Sequence, residues 1–177
     1  HSAVAREDGV LLTSGRNDHG ELGRRGGGTR WRRVDAMEAH SVSCAAVGEG
    51  FTVVVTSTGA VFAWGAGERG QLGSGERVSV PRPRLLRGFR DTHICAVRAG
   101  EAHVLALADT GELFAWGSNE YGQLGDGTYV SAASPTLVKG MVGRPVRRFD
   151  AGSNHSVAVT AFGTAYSWGD NRHGQLG

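Results

Sequence analysis

The sequence has only two cysteines and no long apolar run, so it lacks the features of disulfide frameworks, cysteine metal sites and membrane spans. Its only cysteines are Cys44 and Cys95, too few and too far apart for a CxxC metal site or a disulfide framework. We interpret both as small buried strand residues. No run of about 18 apolar residues occurs, and the N-terminus lacks a charged-then-apolar signal pattern. These absences predict no membrane segment and a cytoplasmic or nuclear location.

Motifs of covalent catalysis are also missing. The sequence contains no nucleophile elbow, no phosphate-binding Gly-rich loop with Lys, no HExxH pair and no calcium loop. Glu49 and Glu101 stand at equivalent positions of a repeat, but Ser153 replaces them in the next copy, which argues against a shared acid–base role. We therefore predict a protein that is not an enzyme, with no catalytic residue, cofactor or metal.

Glycine, by contrast, is abundant and recurs in a fixed pattern. The 29 glycines amount to about twice the usual share of roughly 7%, without a Gly-X-Y period. A nine-residue motif at Gly15–Gly23 returns at Gly65–Gly73, Gly117–Gly125 and Gly169–Gly177, with starts 50, 52 and 52 residues apart. An apolar stretch precedes each copy. The sequence is therefore built from repeats of one structural unit.

Each repeat contains short strand signals and no helical pattern. In one copy, Val104–Ala108 and Glu112–Trp116 flank a turn that ends in glycine, which predicts a hairpin. A further apolar piece and another strand follow each long motif. About four strands per period is the pattern of a propeller blade. We predict an all-β fold with about 14 strands in antiparallel four-stranded blades.

The motifs identify the kind of blade. The segment Ala115–Gly127, AWGSNEYGQLGDG, together with Gly152–Val159, GSNHSVAV, resembles the signature of regulator-of-chromosome-condensation repeats. Kelch repeats have a similar length, but the paired glycines that mark them are absent. The resemblance covers essentially the whole chain. The first copy departs from it, with Ser14 where the others have Trp and Glu21 where they have Gln.

The resemblance implies blades of a seven-bladed ring, of which this chain would form half. We predict one partial β-propeller over residues 1–177, with periods at 1–50, 51–102 and 103–154 and a partial fourth at 155–177. An open half-ring exposes strand edges at both ends. Two explanations stay open: the chain is a piece of a longer protein, or two copies form a homodimer that closes the propeller.

Three sets of repeat residues are predicted to be structural. Tryptophans end one strand in successive blades, where a large ring fills the wedge between sheets. Histidines at equivalent positions could gather around a metal, but Phe51 at the fourth equivalent favours a bond to a neighbouring backbone carbonyl instead. Glycines close the long motif. The residues in these sets are Trp64, Trp116, Trp168, His103, His155, with His1 at the chain start, Gly73, Gly125 and Gly177.

Basic residues cluster although the net charge is only +2. Equivalent segments lie on corresponding parts of successive blades, so these clusters predict a continuous band that binds phosphates or an acidic protein surface. The alternative is a solvated rim, since eighteen of the nineteen basic residues are arginine. Trp31 lies among them as a candidate contact residue. The predicted band comprises Arg24, Arg25, Arg30, Trp31, Arg32, Arg33, Arg77, Arg82, Arg84, Arg87, Arg90, Lys139, Arg144, Arg147 and Arg148.

Two functions follow from these features. The first is a non-catalytic scaffold that binds a protein partner through its loops. The second comes from the resemblance: the founding member of the family is a guanine nucleotide exchange factor for the small nuclear GTPase Ran and sits on chromatin. The resemblance implies a protein partner, such as a small GTPase, and the basic band adds nucleic acid or chromatin.

Overall fold

A computed structural model describes residues 1–89 and 91–177. Arg90, one of the predicted basic residues, lies outside the described residues. The strands are β1 (Ser2–Ala5), β2 (Leu11–Gly15), β3 (Gly28–Arg33), β4 (Val42–Val47), β5 (Phe51–Thr56), β6 (Val61–Gly65), β7 (Val80–Leu85), β8 (Ile94–Ala99), β9 (His103–Ala108), β10 (Leu113–Gly117), β11 (Ala132–Leu137), β12 (Val146–Ala151), β13 (His155–Thr160) and β14 (Ala165–Gly169). Two 3-10 turns cover Asp35–Met37 and Lys139–Met141.

The fourteen strands form four antiparallel sheets that follow one another along the chain. The sheets are β1-β2-β3, β4-β5-β6-β7, β8-β9-β10-β11 and β12-β13-β14, and each strand pairs with its sequence neighbour. The prediction of an all-β partial propeller with 14 strands is confirmed. In the part of the chain that the structure describes, no helix is long and apolar enough to cross a membrane.

The core lies between successive sheets. The middle strands β5 and β9 are buried along their whole length, so their sequences are nearly continuous apolar runs rather than alternating patterns. One buried cluster joins the second and third sheets and includes Phe51, Val104 and Trp116. The last strands β7 and β11 contain only exposed and half-buried residues. These last strands therefore form the outer edge of each sheet.

The loops between the first two strands of the second, third and fourth sheets join these sheets on one face. The Glu49 N–H donates to the Glu101 carbonyl, and the Glu101 N–H donates to the Ser153 carbonyl, both at 2.9 Å. The Glu101 carboxylate accepts from the Ser153 hydroxyl at 2.7 Å, which is the main reason that its pKa is lowered. The three equivalent positions thus connect one sheet to the next through their backbones.

The two cysteines are less buried than the sequence predicted. Cys95 is exposed and Cys44 is partly exposed, and neither forms a disulfide. They lie on the first strands β8 and β4, which are less buried than the middle strands β9 and β5. Cys95 points its thiol at the Leu107 carbonyl at 3.3 Å, and partial burial raises its pKa.

Candidate partner-binding groove

The repeated tryptophans tie each sheet to the long motif of the sheet before it. Each indole N–H donates to the backbone carbonyl of the residue at the Gln position of that motif. Trp64 and Trp116 are completely buried in doing so. The three bonds, each 2.9 Å long, join Trp64 to Glu21, Trp116 to Gln71 and Trp168 to Gln123. The tryptophans therefore supply both packing and a directional bond.

The last glycine of the motif is required by the same contact. Gly73 has a φ of +68°, and a Cβ placed there would lie 2.7 Å from Nε1 of Trp116. An L side chain would meet both a left-handed backbone and the indole ring. Gly125 has the same relation to Trp168. The motif therefore ends in glycine because the tryptophan of the following sheet occupies the space beside it.

Two of the repeated histidines, His103 and His1, bond to a hydroxyl rather than to a carbonyl, which corrects the partner expected for them from the sequence. His103 Nε2 lies 3.0 Å from Ser156 Oγ, and His1 Nε2 lies 2.9 Å from Thr52 Oγ1. The hydroxyl uses its own proton on the carbonyl of the preceding motif, as Ser156 does on Gln123 at 2.8 Å. The histidine thus reaches the carbonyl indirectly, because the hydroxyl of the next sheet stands between them.

Phe51 fits this arrangement although it breaks the histidine pattern. Where the second sheet has Phe51, the third has Val104 at the hydroxyl position, and both belong to one buried apolar cluster. Burial, with a smaller effect of nearby His155, lowers the pKa of His103 from 6.5 to about 4. His103 is therefore neutral at physiological pH. The two positions change together: a histidine faces Ser or Thr of the next sheet, and Phe51 faces Val104. This signal is present in the sequence but is visible only when the two repeat positions are compared with each other.

An open groove of about 1490 Å³ lies between the first and second sheets. Its walls come from the long loop before β3 and from β3 itself on one side, and from the start of β7 on the other. It contains six residues of the predicted basic band, namely Arg24, Arg25, Trp31, Arg32, Arg33 and Arg82. The indole of Trp31 is 48% exposed. An aromatic ring among guanidinium groups is the composition of a protein-binding surface.

Arg24 is fixed in place, whereas its neighbours are free to bind. The Arg24 guanidinium donates to the Thr13 carbonyl at 2.9 Å and to the Gly26 carbonyl at 3.1 Å. Burial, and then the charge of Arg32, lower its pKa. Among the described residues, no hydrogen bond or ion pair involves the side chains of Arg25, Arg32 or Arg33. Arg24 therefore orders the loop, and the neighbouring arginines carry the available charge.

Acidic side chains in the groove are partly occupied by other partners. Glu68 accepts from the Ser79 hydroxyl at 2.6 Å, and this bond is the largest cause of its lowered pKa. Asp18 pairs with Arg16 at 3.5 Å. Asp35 also lines the groove. The five arginines outnumber these three acids, so the groove carries an excess of positive charge.

The other predicted basic residues lie elsewhere. Arg77 donates to the Ser131 carbonyl at 2.9 Å, and Arg84 pairs with Glu76 at 2.6 Å. Arg147 and Arg148 line a separate cavity beside β12. The remaining described ones, Arg30, Arg87, Lys139 and Arg144, are exposed. Two groups of the predicted residues therefore line separate cavities, because Arg32 and Arg33 lie on the last strand of a sheet and Arg147 and Arg148 on the first. The continuous band stays a prediction.

Sheets that follow one another and are tied by a recurring tryptophan define the class: these are blades of a β-propeller. Family models described as "Regulator of chromosome condensation (RCC1) repeat" match residues 58–107 and 110–159, and a second set matches 40–71, 94–123 and 146–175. Each set covers more than half of the chain. The chain belongs to the RCC1 repeat family, as its motifs predicted.

Similar proteins share this region within longer chains. The human protein named "Probable E3 ubiquitin-protein ligase HERC6" is 38% identical over 99% of this chain, which is 18% of its own length. Human "Protein RCC2" is 38% identical over 77% of this chain and 26% of its own length. The chain therefore spans about a quarter or less of these curated relatives.

Solved structures reproduce the fold. Prp20p from Saccharomyces cerevisiae, in a structure described together with its binding properties to Gsp1p and histones, superposes with a TM-score of 0.85 at 27% identity, over 99% of this chain and 43% of its own. Human WBSCR16 superposes with a TM-score of 0.84 at 25% identity, over 94% of this chain and 44% of its own. The four blades are thus superposable on less than half of each of these larger chains.

Proposed function

We propose that this chain is a non-catalytic interaction module that binds a protein partner through the groove between its first two blades. The observation that carries this proposal is the exposed Trp31 beside Arg25, Arg32 and Arg33, whose side chains make no hydrogen bond or ion pair with any other described residue. The residues that line the groove come from the first two blades. Aromatic and arginine side chains are the residue types that dominate binding energy at protein interfaces.

The long relatives named as ligases support a binding role rather than bond chemistry for this region. HERC6 carries the matched region as 18% of its length, and human HERC2 carries it as 3%. A module shared by chains with different names is suited to recruiting a partner. A nuclear or cytoplasmic location stays a prediction, as do the division into repeat periods and the homodimer.

Charge reversal at two matched arginine pairs tests the proposal. Arg32→Glu/Arg33→Glu changes the groove, and Arg147→Glu/Arg148→Glu makes the same charge change on β12. Tagged wild-type and variant chains would be used to capture proteins from cells, with quantitative mass spectrometry as the readout. We expect the β12 variant to retain a set of partners that the groove variant loses. Equal capture by both variants would contradict a binding role for the groove.

A guanine nucleotide exchange factor is the second candidate. The observation that favours it is the likeness to Prp20p, whose described binding properties include Gsp1p. Exchange requires only a surface that stabilises the nucleotide-free GTPase better than the loaded form. The test is release of labelled nucleotide from Gsp1p by substoichiometric amounts of the chain, and also of a full-length relative that contains it. Release at the intrinsic rate with both would dismiss this candidate.

Chromatin binding is a further use of the same positive charge. Prp20p is described with histones, and phosphate contacts by arginine would add affinity for nucleic acid. Nucleic-acid affinity must fall steeply as salt rises, because counterions are released on binding. Titration of duplex DNA at several salt concentrations separates this role from binding of a protein partner. Affinity that is absent or insensitive to salt would rule it out.

A further inference from the structure

The outer edge of the first sheet is open along β3. This strand is last in the order β1-β2-β3, and all six of its residues are exposed. The Val34 N–H donates to the Leu11 carbonyl at 3.1 Å, which fixes the alternation of the antiparallel ladder. The ladder is regular at the pairs Leu12–Arg33 and Thr13–Arg32, and a register shift follows between Thr13 and Gly15. The backbone groups of Arg33 accordingly point away from β2, and so does the carbonyl of Trp31, because it shares a trans peptide with the inward N–H of Arg32. An extended Trp31 directs its own N–H to the same outer side.

The outer strands of the next two sheets are protected at the corresponding position. Trp31 aligns in the repeat with Pro83 on β7 and Pro135 on β11. Both strands have the same alternation as β3, since the Leu86 N–H donates to Val61 and the Val138 N–H donates to Leu113. Proline has no N–H, and its presence on an edge strand prevents pairing with another chain. Only β3, among these three outer strands, keeps a donor there.

The edge of β11 is also covered by the preceding blade. The Gly75 N–H donates to the Ala133 carbonyl at 2.8 Å, and Arg77 donates to the adjacent Ser131 carbonyl. The edge of the third sheet is therefore blocked both by a proline and by these bonds from the blade before it.

The groove follows this open edge. Arg32 and Arg33 are adjacent in a strand and project to opposite faces, yet both line the groove. A groove bordered by both faces of an edge strand runs beside the strand itself. Its volume of about 1490 Å³ exceeds the roughly 300–1,000 Å³ of ordinary small-molecule pockets. A segment of polypeptide is therefore a better match for its size.

We propose that an extended acidic segment of a partner protein adds to the edge of β3 as a fourth strand of the first sheet. Main-chain bonds to Trp31 and Arg33 supply the pairing, as in other complexes formed by strand addition. Carboxylates of the segment lie near Arg30, Arg32 and Arg33, and an aliphatic side chain packs on the indole of Trp31. This inference rests on the proposed function and specifies how the partner binds.

A short synthetic strand tests the mode of binding. The probe is a fluorescein-labelled peptide of alternating Glu and Val, about ten residues long, which is the upper length of ordinary strands. The control peptide has the same sequence, but every central residue carries an N-methyl group. It keeps the charge and the side chains of the probe and loses its main-chain hydrogen-bond donors. Fluorescence anisotropy gives the affinity of each peptide for the 177-residue chain. We expect N-methylation to weaken binding about tenfold or more, because several main-chain bonds are lost.

Two substitutions of Trp31 distinguish the contribution of its backbone N–H to probe binding from that of its indole ring. Trp31→Ala removes the ring and keeps the N–H, whereas Trp31→Pro removes both and copies the residue found on β7 and β11. We expect Trp31→Pro to bind the probe about fivefold more weakly than Trp31→Ala, the effect of one hydrogen bond of about 1 kcal/mol. Circular dichroism melting confirms that both variants fold, which Pro83 and Pro135 indicate that the strand permits.

The outcomes divide cleanly. Loss of affinity on N-methylation and a difference between the two Trp31 variants support strand addition. Equal binding of both peptides, or equal binding by both variants, overturns it. Failure of the wild type to bind the unmodified probe also overturns it. None of these negative results contradicts the interaction module itself, which fails only if the Arg32→Glu/Arg33→Glu chain captures the same partners as the Arg147→Glu/Arg148→Glu chain.

Discussion

The contact between the second and third sheets and the outer strand of the first sheet are opposite in character. Between the sheets, the same parts recur: a buried tryptophan bonded to a carbonyl, a glycine beside its ring and a matched pair such as Phe51 with Val104. On β3 the repeat is broken, and Trp31 stands where β7 and β11 have proline. Repetition marks what holds the blades together, and departure from repetition marks the surface assigned to binding.

This comparison has an energetic basis. A residue between two sheets packs against side chains of both blades. Because that interior is close-packed, almost any substitution there lowers the free energy of unfolding. A residue on an exposed outer strand contacts few others, and its substitution is usually nearly neutral. The outer strand can therefore change without loss of the fold. Five predictions, in order of expected effect, test whether stability and binding are separated in this way.

The largest effect is expected from truncation of a buried tryptophan. Trp116→Ala removes a completely buried ring and its bond to the Gln71 carbonyl, which should lower the free energy of unfolding by about 3–5 kcal/mol. Trp31→Ala, at a half-exposed position, should cost less than about 1 kcal/mol. Urea denaturation followed by fluorescence gives both values. Similar losses at the two positions would erase the distinction between interior and outer strand.

Acid should weaken the tie made by His103. Its pKa is about 4 in the folded chain and 6.5 without burial, so the unfolded chain binds the proton more readily. This contribution to stability is complete above pH 6.5 and is lost as the pH falls to 4, by about 3 kcal/mol at most. Thermal melting between pH 7 and pH 4 measures the loss.

The natural alternative pair provides the control for that titration. His103→Phe with Ser156→Val copies Phe51 and Val104, and this double variant should lack the part of the pH dependence due to His103. His103→Phe alone places a ring against a buried hydroxyl, so the two changes should be coupled by about 1–2 kcal/mol. Additive effects of the two single changes, or an unchanged pH profile, would mean that His103 and Ser156 do not act as a pair.

Two glycines with similar positive φ angles distinguish the cost of backbone strain from the cost of crowding by a neighbouring side chain. Gly73→Ala meets a φ of +68° and the Trp116 ring, whereas Gly127→Ala meets a φ of +81° with open space around it. The left-handed backbone alone costs about 1–2 kcal/mol at each position. We expect Gly73→Ala to be the more destabilising by about 1 kcal/mol or more, as crowding adds to strain. Equal unfolding midpoints would show that the ring yields to the methyl group.

The smallest effect on stability is a gain. Glu21 occupies the Gln position of the first motif, is 1% exposed, and its Oε1 has no partner among the described residues. Glu21→Gln replaces the buried oxygen that has no partner by an amide group and restores the residue of the other motifs, and it should raise the free energy of unfolding by about 1 kcal/mol. Glu38→Gln, on an exposed side chain, is the matched control. A decrease in stability would mean that the carboxylate has a role that the repeat pattern does not explain.

Much of the fold was predictable because the repeat is strict. The starts of the long motif and the apolar stretches before them gave 14 strands, and the recurring Trp116 and its equivalents marked the contact between blades. The partner of His103 was not predictable from one position, because it depends on the residue 53 places later in the next sheet. The two positions reveal the pairing only when they are compared together across the repeats.

The site was predicted only in part for a geometric reason. The sequence showed that Trp31 and its neighbouring arginines depart from the other repeats, and the structure places them in one groove. It could not separate Arg32 and Arg33 from Arg147 and Arg148, since the last strand of one sheet and the first strand of the next are close in sequence but distant across the blade. Aligning the repeats also could not show which backbone groups of β3 point outward, because that depends on the register between β2 and β3.

Residue-resolved amide hydrogen exchange, with and without the acidic probe peptide, tests the central claim most directly. In the free chain the amides of Trp31 and Arg33 should exchange rapidly, while those of Arg32 and Val34, paired with β2, should be protected. Addition of the probe should slow Trp31 and Arg33 and leave the amides between the second and third sheets unchanged. Protection that spreads through those sheets, or that leaves Trp31 and Arg33 fast, would contradict strand addition at β3.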